Sequence, residues 1–387
     1  MSQQISFDEL LSDVEALNLE SDRRTQIAEG IRIIRDLMGP GFVDDVLSTG
    51  HPLMMTVINR AAHSRAWLGW FGHALSTAVS LQGFPELRKR LIDPRRASEG
   101  ISTLELVWRF TQAGFVAAPE TPVRGRHIKV PDITLVHPET RLEIYVEHTH
   151  LGPSEEDTRA HRTQQQVWLP LLTRFDIQYC GSILKVLSEP RCAEVVDRLS
   201  AEIAQLGQDK SFIDLSQPGI LRLAACTEEG KEHLQAWASA SGEKLKTLSG
   251  PPIEDDQVGR VRRTIRRKQL QIPESRPGVV IIRTPPMMLM QSPRTICESI
   301  EETLFDHSCL AAVVLWSNNL GAGEEVRESI GDHFHVIQRA FDDVHVSRFL
   351  FLTNRYMRCP IPTQLRQDIK RAFAECRLDC STAQPVP

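Results

Sequence analysis

The chain has 387 residues, with 45 Lys plus Arg against 50 Asp plus Glu and a formal charge of −5. At about 150 residues per domain the length suggests two or three domains, and 41 % hydrophobic with 25 % charged residues is ordinary for a globular protein. The composition excludes collagen-like, coiled-coil and low-complexity classes, and net acidity argues against coating nucleic acid by bulk charge while leaving room for a local basic patch. The basic residues are lopsided, 36 Arg to 9 Lys.

The first residues, Met1 to Asp8, are polar and lack the layout of a signal peptide. The longest apolar run, Cys309 to Trp316, is far shorter than the roughly 20 residues a bilayer span needs. The eight cysteines are scattered, with no CxxC pair. These features read as reduced thiols in a cytoplasmic protein without membrane association.

Residues 1–92 read as a helical N-terminal region. Ile27, Ile31, Ile34 and Leu37 recur at helical spacing, and Gly39-Pro40-Gly41 stops that helix. Residues 54–82 supply one or two buried helices, with Trp67, Trp70 and Phe71 as core. A polar connection at 93–100 marks a boundary, and 101–378 reads as an α/β domain followed by a tail at 379–387. Ser102 or Thr103 is the expected cap of a helix through Leu104, Val107, Trp108 and Gln112 that ends at Gly114. An antiparallel meander follows, with strands at 115–118, 130–136 and 142–149 and a polar stretch, Thr121 to His127, between the first two.

Farther on, strands are expected at 183–187, 220–225, 279–282, 310–316 and 348–352. Helices are expected at 192–206, 258–271, 293–305 and 363–374, with a loop at 246–256 and a short helix at 326–330. Gln164-Gln165-Gln166 opens a helix after the meander, and His333 and His335 read as surface residues. Helices alternating with short apolar strands imply an α/β sheet covered on both faces.

Chemistry concentrates on three carboxylates. Asp132 follows a proline at a strand start, and Glu147 lies on the neighbouring strand across a short turn. The two can therefore meet across the pair. Two carboxylates so placed suit Mg²⁺, which prefers hard oxygen ligands and keeps several waters. Glu105, on the preceding helix, is a third candidate that would add a ligand or orient a water.

The order Glu105 helix, Gly114-Phe115-Val116, Pro131-Asp132, Ile144-Tyr145-Val146-Glu147-His148-Thr149 resembles the core of the PD-(D/E)xK, or restriction-endonuclease-like, nuclease superfamily. The resemblance implies a mixed sheet flanked by helices and a Mg²⁺- or Mn²⁺-dependent nuclease cutting DNA or RNA, in bacterial defence or DNA maintenance. It gives Asp132 the place of the motif's Asp and Glu147 that of its second acid. The family's Lys, two residues after that acid, is replaced here by Thr149. The alternative is a catalytically degenerate member that binds nucleic acid or a protein partner without cleavage.

Lys268 is the expected replacement. Val258, Val261, Ile265 and Lys268 share one helical stripe, apolar until the lysine, which would point inward. Some superfamily members resemble this layout, with Lys and Gln on a later helix before a Pro and an apolar strand, here Lys268, Gln269 or Gln271, Pro277 and 279–282. Lys129 is a weaker substitute because its odd offset from Asp132 puts it on the other strand face. Five arginines and Lys268 crowd residues 260–268. Arg262, Arg263, Arg266 and Arg267 are candidates for phosphate contact, and the opposing reading is a solvated face paired with Glu254, Asp255 and Asp256. The helical N-terminal region would then serve substrate recognition or homodimer formation. His148 and His150, an H-x-H pair without a spaced third ligand, read as packed or solvent-facing histidines.

Overall fold

A computed structural model describes residues 5–119, 130–152, 155–175, 178–179, 181–183, 185–206, 212–215, 221–224, 228–241, 248–249, 256–273, 276–285, 288–290, 292–307, 309–321, 324–358 and 361–379. The polar stretch at 121–127, Lys129 and Glu254–Asp255 lie outside them, as do most of the 246–256 loop and the tail beyond 379. Two compact units emerge, one of Met1–Leu151 with Gln257–Pro387 and one of Gly152–Asp256.

Seven helices come first: α1 (Phe7–Ala16), α2 (Ser21–Met38), α3 (Phe42–Ser48), α4 (Met54–Ile58), α5 (Ala62–Ala78), α6 (Phe84–Ile92) and α7 (Ala97–Gln112). Helix α1 opens with a capping box in which the Ser6 hydroxyl accepts from the Glu9 amide and the Glu9 carboxylate accepts from the Ser6 amide. The α2 stripe of Ile27, Ile31 and Ile34 is buried. Helices α2 and α5 meet backbone to backbone at Gly30, Gly69 and Gly72, where there is no room for a Cβ. Trp70 and Phe71 are fully buried.

Helix α7 begins at Ala97, earlier than the cap expected at Ser102 or Thr103. Both hydroxyls sit inside the helix and are used there. Thr103 donates back to the Glu99 carbonyl, and Ser102 takes part in a side-chain network described below. Gly114, at φ 93°, ends the helix as expected. Strands β1 (Val116–Pro119), β2 (Ile133–Val136) and β3 (Glu143–His150) form the antiparallel meander.

The second unit holds α8 (Glu155–Arg174), β4 (Gln178–Tyr179), β5 (Gly181–Ser182), α9 (Glu189–Ile203), β6 (Phe212–Leu215), β7 (Leu221–Ala224), α10 (Glu228–Ser241) and β8 (Leu248–Ser249). Its strands make a small sheet of order β4-β7-β6 and a two-stranded β5-β8 ladder. The strand expected at 183–187 is absent from its described residues, 183 and 185–187. Ile183 and Leu187 are instead buried among Val167, Trp168 and Leu171 of α8 and Val195, Val196 and Leu199 of α9. Gln164–Gln166 lie well inside α8 rather than at its start.

The chain then returns to the first unit with α11 (Gln257–Gln269), β9 (Gly278–Arg283), α12 (Pro293–Phe305), β10 (Leu310–Leu320), β11 (Val326–Ile330), β12 (His333–Ala340), β13 (His345–Thr353) and α13 (Thr363–Ala374). The eight-stranded mixed sheet has the order β1-β2-β3-β9-β10-β13-β12-β11. Strands β3, β9 and β10 run parallel to one another, and the remaining pairs are antiparallel.

Residues 326–330, expected as a short helix, form the edge strand. Val326 and Ile330 are four apart, a spacing that fits one helical turn, but the ladder to β12 decides the matter. Strand β12 has ladders on both sides, and this buries His333 and His335, expected at the surface.

One hydrophobic cluster runs from Phe7 through α2, α5 and α7 to β3, β10 and α13, so the helical region 1–92 and the sheet share a core. A second cluster, with Val261, Ile265, Val280, Ile282, Ile296 and Ile300, covers the opposite sheet face. The division therefore differs from the expected boundary at 93–100. Among the described residues no helix is long and apolar enough to cross a membrane.

Candidate carboxylate–lysine site

Strand register builds the site. Ile133 faces Val146 across the β2–β3 ladder, which sets Asp132 opposite Glu147. On β3, Ile144 and Val146 join the core that includes α7, and Glu147 projects from the other face. In the parallel ladder its partner is Val280, whose side chain packs in the second cluster with Val261 and Ile265 of α11.

The same helix delivers the lysine. Val261 and Ile265 are fully buried, and Lys268 continues their stripe toward the sheet. Its ammonium donates to Glu147 Oε2 at 2.9 Å and lies 3.5 Å from Asp132 Oδ2. Side-chain exposures are 3 % for Glu147, 19 % for Asp132 and 14 % for Lys268, so the pair is shielded yet reachable on the Asp132 side. Asp132 Oδ2 also accepts the His148 backbone N–H at 2.7 Å. That bond fixes the carboxylate across the strand pair. Thr149, two residues beyond Glu147, is a half-buried strand residue opposite Ile282.

Other charges surround the pair. Arg90 of α6 is buried. Desolvation draws its pKa down, while the Asp132 and Glu99 carboxylates hold it up. The His148 ring is fully buried on the face away from Glu147. Burial, then His150, Arg283, Lys268 and Arg90, push its pKa far below the ordinary value, so the ring is neutral. His148 and His150 pack edge to face with centroids 5.0 Å apart, the packed of the two arrangements expected for them.

Glu105 is not brought to the pair. It belongs to α7, on the opposite sheet face, where Arg109 Nε donates to its Oε1 at 3.0 Å and Asn318 donates to its Oε2 at 3.4 Å. The arginines of α11 divide. Arg262 is not displayed; its guanidinium donates to the Ser299 carbonyl of α12, from Nε at 2.6 Å. Arg263, Arg266 and Arg267 are exposed. Arg90 carried no sequence signal, and His148, although inside the motif strand, acts here through its backbone amide, which no side-chain pattern reveals.

Among the described residues no group of three or more His, Cys, Asp and Glu side chains forms a metal cluster. Asp132 and Glu147 supply two hard oxygen donors. That donor set fits Mg²⁺, which is commonly bound through one or two carboxylates and completes its shell with water. Compared with protein-family models, curated proteins and solved structures, the chain matches none.

Proposed function

We propose that the protein is a Mg²⁺-dependent phosphodiesterase acting on DNA or RNA, built on a PD-(D/E)xK-like core whose lysine has moved to Lys268. The observation that carries this reading is the Lys268 ammonium, 2.9 Å from Glu147 and 3.5 Å from Asp132 although it is 121 residues from Glu147 in the chain. The element order supports it too. Helix α7, the β1–β2–β3 meander, then α11 and the parallel strand β9 reproduce the layout on which the resemblance rests.

Asp132 and Glu147 would hold the ion, and Mg²⁺ or Mn²⁺ there would supply Lewis-acid polarisation of the scissile phosphate. Lys268 would orient the attacking water and offset charge as the new P–O bond forms and the ester P–O bond breaks, the water's proton passing to the departing oxygen. Arg263, Arg266 and Arg267, on the outer side of the same helix, suit contact with flanking phosphates.

The test is cleavage of plasmid DNA, single-stranded DNA and RNA with and without MgCl₂. Asp132→Ala and Lys268→Met are expected to lower Mg²⁺-dependent cleavage at least about 100-fold. Cleavage that survives both substitutions overturns the assignment. A second reading, binding without cleavage, is favoured by Thr149 in the motif position. It is the outcome if the protein binds these substrates without Mg²⁺ and leaves them intact.

A further inference from the structure

On the sheet face away from Glu147 lies a cavity of about 290 Å³. It opens between α4, α5, α7 and the carboxyl ends of β9 and β10, where open α/β sheets commonly take ligands. The register separates it from the carboxylate–lysine site. Arg283 pairs with His150 and Trp316, on the α7 side of the sheet.

The cavity holds a cation that makes no direct ion pair among the described residues. Arg283 is the last residue of β9, and its guanidinium donates to the Ser102 hydroxyl at 2.7 Å and lies over the Trp316 ring. Among the described residues no carboxylate lies within 4.0 Å of it. Ser102 in turn lies 2.9 Å from His150 Nε2, and burial, then Arg283, lower the His150 pKa to about 4, so the ring brings no charge near pH 7. Glu105 lines the same cavity, but Arg109 neutralises it. His345, also lining it, is neutral near pH 7 for the same reason as His150. Desolvation lowers the Arg283 pKa while the Glu105 carboxylate raises it, and Glu105 is shared with Arg109, so one carboxylate stands against two guanidiniums. A buried charge of this kind calls for a partner.

The rest of the wall is mixed: Thr56, Asn59, His63, Ser64, Ser98 and Asn318 are polar, and an apolar side faces them. Leu53, Ile101 and Leu320 line it together with Trp67, whose ring stacks on Phe71 at 5.3 Å. The volume lies at the lower bound of small-molecule sites, roughly 300 Å³ and upward. That volume suits a single ring system with one acidic group.

The structure assigns this cavity to a small organic oxyanion, a carboxylate or a phosphate monoester, whose acid group pairs with Arg283 and whose flat ring lies against Trp67. Arginine's planar fork matches both acid groups, and the aromatic wall matches the ring. The assignment does not rest on the phosphodiesterase reading.

Calorimetric titration of the full chain with adenosine 5′-monophosphate, indole-3-acetate and inorganic phosphate, in EDTA, tests it. Saturable binding is expected for one or both ring-bearing probes, and which one binds separates the two acid types. Arg283→Met should weaken binding at least about tenfold, the size of a lost charge-assisted hydrogen bond. Ser98→Trp, at an exposed lining position, should block entry to the same extent without touching the buried charge. Because Ser98 is exposed, this variant carries the test if Arg283→Met does not fold. Lys268→Met should bind as wild type does, which keeps the outcome separate from that of the nuclease assay. Failure of both ring-bearing probes at millimolar concentration overturns the assignment. So does equal binding by folded Ser98→Trp, or inorganic phosphate binding as tightly as either ring-bearing probe.

Discussion

Replacing Gly30 by alanine tests how tightly the helical region is seated. A Cβ on Gly30 would lie 2.7 Å from the Gly69 carbonyl carbon and closer still to its oxygen. Ordinary carbon–carbon contact is about 3.5–4.0 Å, so α2 and α5 would have to part by roughly 1 Å. Both obstacles are backbone, and no rotamer change relieves them. A gap of that size forfeits about a quarter to a half of the dispersion energy of each facing contact. Overpacking of this kind costs about 1–3 kcal/mol or more, against a gain of about 1 kcal/mol from alanine's helix propensity. The expected net loss is roughly 1 kcal/mol or more. Gly41→Ala is the internal control, since that position has φ −82° and nothing within 4 Å of an added Cβ. It should be neutral or stabilising by a few tenths of a kcal/mol. Urea unfolding followed by tryptophan fluorescence reads both, because Trp67 and Trp70 lie on α5. Equal midpoints for Gly30→Ala and Gly41→Ala would refute the close-approach argument.

Three further outcomes are expected. His345 is neutral in the folded state, its pKa lowered to about 4 by burial and then by Arg283, His63 and Arg109. The unfolded chain takes up that proton near pH 6.5, so His345 contributes stability that is intact above pH 6.5 and lost as pH falls toward 4. At most about 3 kcal/mol is involved, and His345→Gln should flatten the midpoint-versus-pH curve in that window. Arg109→Met should cost about 3–5 kcal/mol, since it unpairs buried Glu105 and strips donors from Gln338 and the Cys376 carbonyl; urea titration of the double variant with Glu105→Gln should show part of the loss recovered. The Cys297 thiol, pushed up to about 12 by burial and then by Glu301 and Glu298, is expected to resist iodoacetamide at pH 8 in the folded protein, as mass spectrometry will read.

Much of this architecture is legible in local pattern. The Ile27–Ile31–Ile34 stripe, the meander and the α11 stripe ending in Lys268 follow from period 3.6 or period 2 and from turn residues. The inward lysine is readable because the stripe is otherwise apolar, and a lone cation on a buried face needs a carboxylate. What local pattern hides is pairing across distance. Val326 and Ile330 fit a helical turn as well as an edge strand, and only the ladder to β12 separates the two. His333 and His335 look solvated until both neighbours of β12 are known. Glu105 sits on a helix that could approach either sheet face, and the packing of Leu104, Val107 and Trp108 with the first cluster puts it on the far side. Arg283 gives no sign in the sequence, because its isolation depends on what the surrounding carboxylates already hold.

The carboxylate–lysine pair is closed by two segments of one unit with the whole of Gly152–Asp256 threaded between them. Leu151 and Val258, just outside the two junctions, pack in the same hydrophobic cluster. To the site, the intervening unit is therefore a closed excursion, and closure entropy grows only logarithmically with its length, about 0.6 kcal/mol per doubling. Such an excursion can lengthen, shrink or be exchanged at little thermodynamic cost to the ammonium beside Glu147. The folding rate bears the burden instead, since α11 and β9 must find β3 after a long detour.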